Sequence, residues 1–544
     1  MLDARGFGAA HGRMEYDYLI AGGGSAGCTL AARLTEDPKT TVCLIEAGDM
    51  GRDILIRAPA LVAAMVSGRP ALHNWAYHTV AQENLNNRRG FQPRGKGLGG
   101  SSAINAMLYV RGHPGDYDEW ASLGATGWDW ANILPYFLKS EGNQRAADAL
   151  HAQLGPLQVG DQAKPRPISH AFLRAAAECQ IPLNPDFNGP TQEGAGLYQV
   201  TQFHTGPRRG ERCSAAAAYL HPALSRPNLT VLARSRAQRI TFDGSRATGL
   251  IVNGKILKAR REVIVSQGAF GSPHLLMLSG IGPEDALRDH GIPVVHALPG
   301  VGQNLQDHLD YCLSYRSLRA DVVGLNPAGL LRLGRAAWAW RKTGTGLFAS
   351  PMAEAGAFLK SRADLARPDL QLHLTVGIVD QHMRKIHLAD GYTCHVCVLR
   401  PDSRGTVGLT DNNPASPPRI DPAFLSDPRD LQALMAGARI TRNLMESPAF
   451  SPWRGAPLYP HDGSDMALEA SIRQHADTIY HPVGTCRMGE DQMAVTDPEL
   501  RVQGMQNLRV IDASVMPRLL GGNTNAPTIM IAERAADLIR GREY

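Results

Sequence analysis

The strongest constraint on the fold of this chain is a glycine-rich turn between two apolar runs near the N-terminus. Asp17–Ala21 is typical of a buried strand, a helical stretch follows the turn, and Thr41–Ile45 is typical of a second strand. Gly22, Gly24 and Gly27 fit the pattern G-x-G-x-x-G. In that pattern the first glycine makes the turn, the second admits a pyrophosphate and the third lets the helix pack on the strand. The segment therefore predicts a βαβ unit that binds a dinucleotide at the N-terminus of its helix.

Glu46 comes directly after the second strand of this unit. A carboxylate at that place can accept hydrogen bonds from both hydroxyls of a ribose, and it disfavours a 2′-phosphate, so NADP is not expected. The glycine pattern and the acid do not by themselves distinguish NAD from FAD.

Two later segments favour a flavin. Arg94–Met107 carries four glycines within six residues, which indicates a second backbone nest beside a phosphate or an aromatic ring; a glycine-rich loop without a ligand is the alternative. Near the C-terminus, the strand-like run Leu508–Ile511 closes on Asp512. Gly521–Pro527 then leads into a predicted helix over Thr528–Ile539. The N-terminus of a helix at that place can stabilise the negative charge of a reduced flavin.

Length and composition exclude several classes of protein. At 544 residues the chain is long for one hydrophobic core, so two interwoven domains are expected. Its 56 Lys and Arg against 51 Asp and Glu give a net charge of +5, which is too weak to predict nucleic-acid binding. No window offers the roughly 20 continuous apolar residues of a membrane span. Residues 1–13 lack the apolar core of a signal peptide and are expected to form a loose leader.

The eight cysteines lie along the chain without the spacing of a disulfide framework, so reduced thiols in a cytoplasmic protein are predicted. Cys394 and Cys397 form a nominal C-x-x-C within the strand-like run Tyr392–Leu399. Positions three apart on a strand face opposite sides of it, so neither a metal site nor a redox pair is expected there. The sequence predicts no metal site.

Four blocks of the chain together resemble the signatures of the glucose–methanol–choline (GMC) oxidoreductases, in the same order. They are the first glycine unit, Arg94–Met107, Gly268–Gly282 and Asn507–Arg540. The resemblance extends from about Tyr16 to the C-terminus, and the chain is most similar to bacterial members of the alkanol-dehydrogenase-like and choline-dehydrogenase-like types.

The resemblance implies a fold of two domains. One is a discontinuous α/β FAD-binding Rossmann-like domain made of residues 14–160, 205–308 and 478–544. The other is an α+β substrate domain, built on an antiparallel sheet, made of residues 161–204 and 309–477.

The resemblance also implies which residues hold FAD. In some members a histidine tethers the flavin, but Ile104 stands at the corresponding position here, so non-covalent FAD is expected. The predicted cofactor-binding residues are Gly22, Gly24, Ser25, Ala26, Gly27, Glu46, Ala47, Trp75, Arg94, Gly95, Gly99, Gly100, Ser101, Asn105, Ala106, Met107, Ala237, Asp512, Ala513, Ala526 and Thr528.

Oxidation of an alcohol needs a base for the hydroxyl proton while hydride leaves the same carbon, and histidine is neutral and basic near pH 7. The resemblance identifies His481 as this base, and Pro482 favours extended backbone at it. Asn525 matches the second active-site position of the family, from which an amide can donate to the developing alkoxide. A helix N-cap is the alternative role of Asn525. His308 is expected to form structural hydrogen bonds.

The predicted reaction is FAD-dependent oxidation of a neutral, apolar primary alcohol to the aldehyde, with electrons passed to a quinone or another acceptor that is not oxygen. An alcohol oxidase that forms H2O2 is the alternative, and a choline dehydrogenase or a flavin-containing hydroxynitrile lyase is less favoured. Glu354 can face a cationic substrate such as choline, but a glutamate there is common in members with neutral substrates as well.

One predicted helix, residues 330–342, is basic and amphipathic. Leu330, Leu333, Ala337 and Trp340 share one face at 100° per residue. Such a helix can lie on an anionic membrane near quinone, which gives a cytoplasmic protein with a peripheral contact at the inner face of the membrane. The favoured alternative is a helix of the substrate domain that packs on its own sheet. The oligomeric state does not follow from the sequence.

Overall fold

The computed structural model describes residues 14–542, so the predicted leader over residues 1–13 lies outside the described residues. Within this range, two seven-stranded sheets organise the chain, and four small sheets accompany them. The strands are β1 (Glu15–Ala21), β2 (Val42–Ile45), β3 (Tyr77–Gln82), β4 (Arg88–Gln92), β5 (Glu141–Asn143), β6 (Leu157–Gly160), β7 (Gly194–Leu197), β8 (Val200–Thr201), β9 (Leu229–Leu232), β10 (Ala237–Asp243), β11 (Arg246–Val252), β12 (Lys255–Val265), β13 (Ile281–Gly282), β14 (His296–Ala297), β15 (Leu309–Ser317), β16 (Ala353–Leu359), β17 (Leu370–Thr375), β18 (Gly391–Val398), β19 (Thr406–Gly408), β20 (Arg419–Asp421), β21 (Arg454–Pro457), β22 (Asp477–Thr478) and β23 (Leu508–Val510).

Thirteen α-helices connect and cover the sheets in the described part of the chain. They are α1 (Ser25–Leu34), α2 (Ile54–Arg57), α3 (Val62–Val66), α4 (Pro114–Ser122), α5 (Trp130–Ser140), α6 (Pro167–Glu178), α7 (His221–Ala223), α8 (Gly268–Leu278), α9 (Glu284–Asp289), α10 (Pro327–Thr343), α11 (Pro428–Glu446), α12 (Asp465–His475) and α13 (Asn525–Arg540).

The first large sheet is the predicted Rossmann-like α/β layer. Its strand order is β10-β11-β12-β1-β2-β9, and β23 pairs with β12. β1 pairs in parallel with both β12 and β2, whereas β10, β11 and β12 form an antiparallel meander. Leu19 and Ile20 are fully buried, as expected for a strand covered on both faces. The predicted class of this domain is therefore confirmed.

The second large sheet is antiparallel throughout, in the order β21-β15-β18-β17-β16-β7, with β22 paired to β15. Its strands come from the ranges predicted for the substrate domain, except that β22 crosses the predicted boundary at residue 478. The α+β sheet domain implied by the resemblance is also confirmed.

The two faces of this antiparallel sheet carry different side chains. In β17, Leu370, Leu372 and Leu374 belong to the apolar core beneath the sheet, and α11 packs on that side against β18. The alternate residues His373 and Thr375 line a large cavity on the other side. Because side chains alternate along a strand, each strand supplies both the core and the wall of the cavity.

The predicted amphipathic segment forms part of α10, but its faces differ from the prediction. Trp340 is buried and packs in a small apolar cluster with Ala58 and Ala349, whereas Leu330 and Trp338 are 56% and 62% exposed. Leu330 therefore lies away from the packed face to which the sequence assigned it, and the buried residues of α10 are Gly329 and Trp340. Within residues 14–542, no helix combines the length and the apolar character that crossing a bilayer requires.

Candidate active site

A continuous cavity runs from the glycine turn after β1 to the polar face of the antiparallel sheet. Most of the residues predicted to bind the cofactor line it. They are Gly22, Gly24, Ser25, Ala26, Glu46, Ala47, Trp75, Arg94, Gly95, Gly100, Ser101, Asn105, Ala106, Met107, Ala237, Asp512, Ala513 and Thr528. Gly27, Gly99 and Ala526 do not line the cavity; they belong to the segments that form its wall.

The three glycines of the first turn differ in what surrounds them. Gly22 has a φ of +111°, and a Cβ there would lie 2.2 Å from the carbonyl oxygen of Ser266. A Cβ on Gly27 would lie 1.9 Å from the carbonyl oxygen of Gly22, so only glycine lets α1 approach the turn this closely. A Cβ on Gly24 would meet no atom closer than 4.0 Å. The backbone is therefore open to a ligand at Gly24, where α1 begins without a side-chain cap.

Glu46 joins three backbone segments at the cavity. One carboxylate oxygen accepts from the N–H of Gly23 at 2.9 Å, and the other accepts from Gly48 at 2.8 Å and Gly97 at 3.0 Å. Burial raises the pKa of Glu46 above its usual value, and these three donors act in the opposite direction. The carboxylate thus holds the first and second glycine segments together while it lines the cavity.

Asp512 organises the far end of the same wall. Its carboxylate accepts from the N–H of Gly268 and from the N–H of Ser514, each at 2.8 Å, and from the hydroxyl of Ser272 at 2.5 Å. The Gly268–Gly282 block is thereby tied to the C-terminal block, although 200 residues and more separate them along the chain.

Sequence reasoning missed Arg212, which supports the second glycine segment from behind. The side chain is 1% exposed, and its guanidinium donates to the backbone oxygen of Asn105 at 2.5 Å and to the side-chain oxygen of Asn105 at 2.7 Å. Burial lowers the pKa of Arg212 to about 9. No local pattern marks this arginine, because its partners lie more than 100 residues earlier in the chain.

His481 lies at the sheet end of the cavity, in contact with His308. The Nδ1 atoms of the two rings are 2.9 Å apart. The Nε2 atom of His308 lies 3.0 Å from the carbonyl oxygen of Leu399 and 3.2 Å from that of Leu520. Carbonyl oxygens only accept, so Nε2 of His308 carries the hydrogen and its Nδ1 accepts. His481 must then donate through Nδ1, which leaves its Nε2 unprotonated and able to accept a hydrogen bond.

Both imidazoles of this pair are neutral at physiological pH. Burial lowers the pKa of His308 to about 3. Burial lowers the pKa of His481 well below its usual value, and the neighbouring His308, His373 and Arg94 act in the same direction. The backbone N–H of His481 donates to Asp307 at 2.8 Å, which anchors the main chain at this residue.

Asn523 and the predicted Asn525 both line the cavity, but they have different neighbours. The side chain next to Nε2 of His481 is that of Asn523, with the amide nitrogen at 3.2 Å. Asn525 begins α13, and its side-chain oxygen instead accepts from the hydroxyl of Ser25 at 2.8 Å. Asn523 lies in the segment that precedes the helix, and Gln371 donates to its amide oxygen at 3.1 Å, which turns the amide nitrogen toward His481.

Glu354 does not line the cavity. Its carboxylate accepts from the backbone N–H of Arg166 at 2.5 Å and from the hydroxyls of Ser169 and Ser350 at 2.7 and 2.8 Å. Burial raises the pKa of Glu354 above its usual value. Among residues 14–542, the carboxylates that line the cavity are those of Glu46 and Asp512, both in the segments predicted to bind the cofactor.

A dinucleotide turn that opens into a cavity with an unprotonated imidazole nitrogen at its far end indicates a dinucleotide-dependent oxidoreductase. Comparison with known proteins specifies the family. Two models of the GMC oxidoreductases match this chain, the N-terminal one at residues 16–310 and the C-terminal one at residues 401–532. The chain therefore belongs to the GMC oxidoreductase family, as the resemblance predicted. It is an FAD-dependent enzyme that acts on CH–OH donors.

Individual relatives match over nearly their whole length. The chain is 44% identical to an alcohol dehydrogenase (acceptor) of Pseudomonas putida, with 96% of this chain and 95% of the relative covered. It is also 44% identical to the mitochondrial choline dehydrogenase of Homo sapiens, with 99% and 93% covered. The crystal structure of pyridoxine 4-oxidase from Mesorbium loti is similar at a TM-score of 0.87, with 32% identity over 97% of this chain and all of the other.

Proposed function

We propose that this enzyme oxidises a neutral primary alcohol to the aldehyde, with Nε2 of His481 as the acceptor of the hydroxyl proton. The observation that carries the proposal is the hydrogen-bond chain from two carbonyl oxygens through His308 to His481. These hydrogen bonds leave Nε2 of His481 unprotonated at the cavity, within reach of the side-chain amide of Asn523. A general base needs an unprotonated nitrogen at the substrate, and this geometry supplies one.

The residues that line the cavity would hold FAD without a covalent bond. The open backbone at Gly24 fits a pyrophosphate, Glu46 fits a ribose, and the hydrocarbon side chain of Ile104, which lines the cavity, cannot form a linkage to a flavin. When bound, FAD supplies the hydride acceptor, N5 of its isoalloxazine ring. The chain contributes the proton acceptor at His481, and the amide of Asn523 would donate to the oxygen on which negative charge develops.

The proposed preference for a neutral substrate rests on where the carboxylates lie relative to the cavity. A quaternary ammonium group is recognised by a carboxylate together with aromatic faces. The carboxylate of Glu354 accepts hydrogen bonds from Arg166, Ser169 and Ser350, and it does not line the cavity. Met352, Val379 and Ile479 line the substrate end instead and suit an apolar chain. The name of the human relative supports choline as the competing substrate.

For the electron acceptor, we propose a quinone or another acceptor that is not oxygen. The name of the Pseudomonas putida relative supports this acceptor class, and that of pyridoxine 4-oxidase supports the alternative, an oxidase that forms H2O2. The predicted cytoplasmic location, with a peripheral contact of α10 at the inner face of the membrane, stays a prediction.

An anaerobic panel of medium-chain, benzylic and quaternary ammonium alcohols tests the proposal. Bleaching of the flavin by the neutral primary alcohols, with a kcat/KM above that for choline, is the expected result. A larger kcat/KM for choline would contradict the proposed substrate class. Absence of bleaching by any alcohol would favour a lyase or a non-catalytic role. Admission of air to the reduced enzyme then separates the acceptors, since rapid reoxidation with formation of H2O2 would contradict a dehydrogenase.

A further inference from the structure

Three side chains that the reaction does not use meet on the polar face of the antiparallel sheet. Cys312 of β15 and His395 of β18 are directly paired across the strands, and Asp310 lies two residues before Cys312 on the same face. Nδ1 of His395 is 2.7 Å from Oδ2 of Asp310 and 3.2 Å from Sγ of Cys312. Sγ of Cys312 is 3.4 Å from Oδ2 of Asp310. One nitrogen, one sulfur and one oxygen thus form a compact triangle.

One carboxylate oxygen of Asp310 accepts no hydrogen bond. Its Oδ1 atom is buried and has no hydrogen-bond partner among residues 14–542, and the residue is 6% exposed. A buried carboxylate oxygen normally accepts at least one hydrogen bond, since an unsatisfied one costs free energy. His395 lines the cavity, so the triangle is reached from the open space that leads to His481.

We propose that Asp310, Cys312 and His395 form a binding site for Zn²⁺ in the wall of the substrate cavity. A thiolate, an imidazole and a carboxylate are the ligand types that Zn²⁺ selects, and three protein ligands leave a fourth position for water. With Zn–N and Zn–O bonds of about 2.1 Å, tetrahedral ligands lie about 3.4 Å apart. Nδ1 of His395 and Oδ2 of Asp310, now 2.7 Å apart, therefore need to separate by about 0.7 Å, and Sγ of Cys312 has to move less.

The charges balance when the ion enters. The thiol proton of Cys312 is released, and the hydrogen between His395 and Asp310 moves to Nε2 of His395. The thiolate and the carboxylate then neutralise Zn²⁺, which suits a site this deeply buried. Because His395 lines the cavity, occupancy places an ion and its water beside the substrate. Zn²⁺ is therefore an inhibitor of alcohol oxidation that does not displace FAD.

Equilibrium dialysis of the chelator-treated holoenzyme against Zn²⁺, followed by metal analysis, tests the site. One ion per chain is expected in the parent, and Cys312→Ser and Asp310→Asn should each weaken binding at least about tenfold. Cys179→Ser, a cysteine at the end of α6, is the matched control and should bind like the parent. His481→Ala should also bind like the parent, which separates this site from the catalytic histidine. Retained flavin shows that each variant is folded.

Parental Zn²⁺ affinity in Cys312→Ser, or the absence of a stoichiometric ion in the parent, would overturn the proposal. Activity gives a second readout. Zn²⁺ should inhibit flavin reduction in the parent and in Cys179→Ser, and inhibition should be lost in Cys312→Ser at the same concentration of ion. Inhibition that persists in Cys312→Ser and disappears only in His481→Ala would place the ion at the catalytic histidine instead, and would also overturn it.

Discussion

His308 and His481 face each other with 2.9 Å between their Nδ1 atoms, and this contact determines which nitrogen of His481 is free to accept a proton. We therefore expect His308→Ala to retain FAD but to slow anaerobic flavin reduction about 10–100-fold, the usual cost of losing the partner that orients a functional imidazole. His308→Asn should recover part of the rate, because its Oδ1 can still accept from His481. Stopped-flow absorbance measures both, and a parental rate in the alanine variant would show that the tautomer is set elsewhere.

Replacement of Asn523 by alanine and replacement of Asn525 by alanine should have different effects. Asn523→Ala removes the donor next to His481 and should slow flavin reduction about 10–10³-fold with FAD fully bound. Asn525→Ala removes the hydrogen bond to Ser25 at the glycine turn, so it should loosen FAD and leave the reduction of bound flavin close to parental. The two variants are controls for each other, and the opposite pattern would restore Asn525 as the partner of the base.

The pH profile of flavin reduction should be flat through neutral pH. Proton transfer from the substrate requires neutral His481, and burial lowers its pKa, so the neutral form persists below the usual histidine pKa of about 6.5. The rate should fall only at a pH below that value, as His481 becomes protonated. His481→Ala should remove this acid limb and slow reduction about 10²–10⁴-fold. A limb centred near pH 7 would mean that another group titrates.

Glu46→Gln should release FAD more easily than the parent does. The amide nitrogen of glutamine would face backbone N–H groups from which the carboxylate now accepts hydrogen bonds. The substitution also removes a charged acceptor for the ribose, which costs roughly 1.5–3 kcal/mol of binding free energy. The flavin-to-protein ratio after extensive dialysis is the measurement, and full occupancy in the variant would argue against the ribose contact. Denaturation of the parent should leave intact FAD in the supernatant, since Ile104 cannot hold it covalently.

The βαβ unit could be predicted from the sequence because its signals are local. The turn, the helix and the acid after β2 lie within about 30 residues of sequence, and the close approach of Gly27 to Gly22 is the contact that the pattern implies. The contact of Gly22 with Ser266 is distant in sequence. The polar and apolar alternation of Leu370–Thr375 was equally visible in the sequence, and it would have indicated that His373 and Thr375 share a face.

The pairing of His308 with His481 could not be predicted, because 173 residues separate them and only the antiparallel sheet brings them together. Asn525 and Asn523 could not be distinguished for a different reason. Both lie in one polar run, and the point at which α13 begins decides which side chain turns to the glycine turn and which turns to the base. Helix boundaries are the least certain feature of a sequence-based prediction.

Side chains on the strands of the antiparallel sheet alternate between the core and the cavity, and this has a consequence for how such enzymes diversify. Leu370, Leu372 and Leu374 belong to the apolar core, whereas His373 and Thr375, on the same strand, line the cavity. Mutation at the second set can alter the shape and polarity of the pocket while the packing beneath is preserved, so new specificities arise without first weakening the fold. A combinatorial library limited to that face should therefore contain mostly folded, flavin-loaded variants.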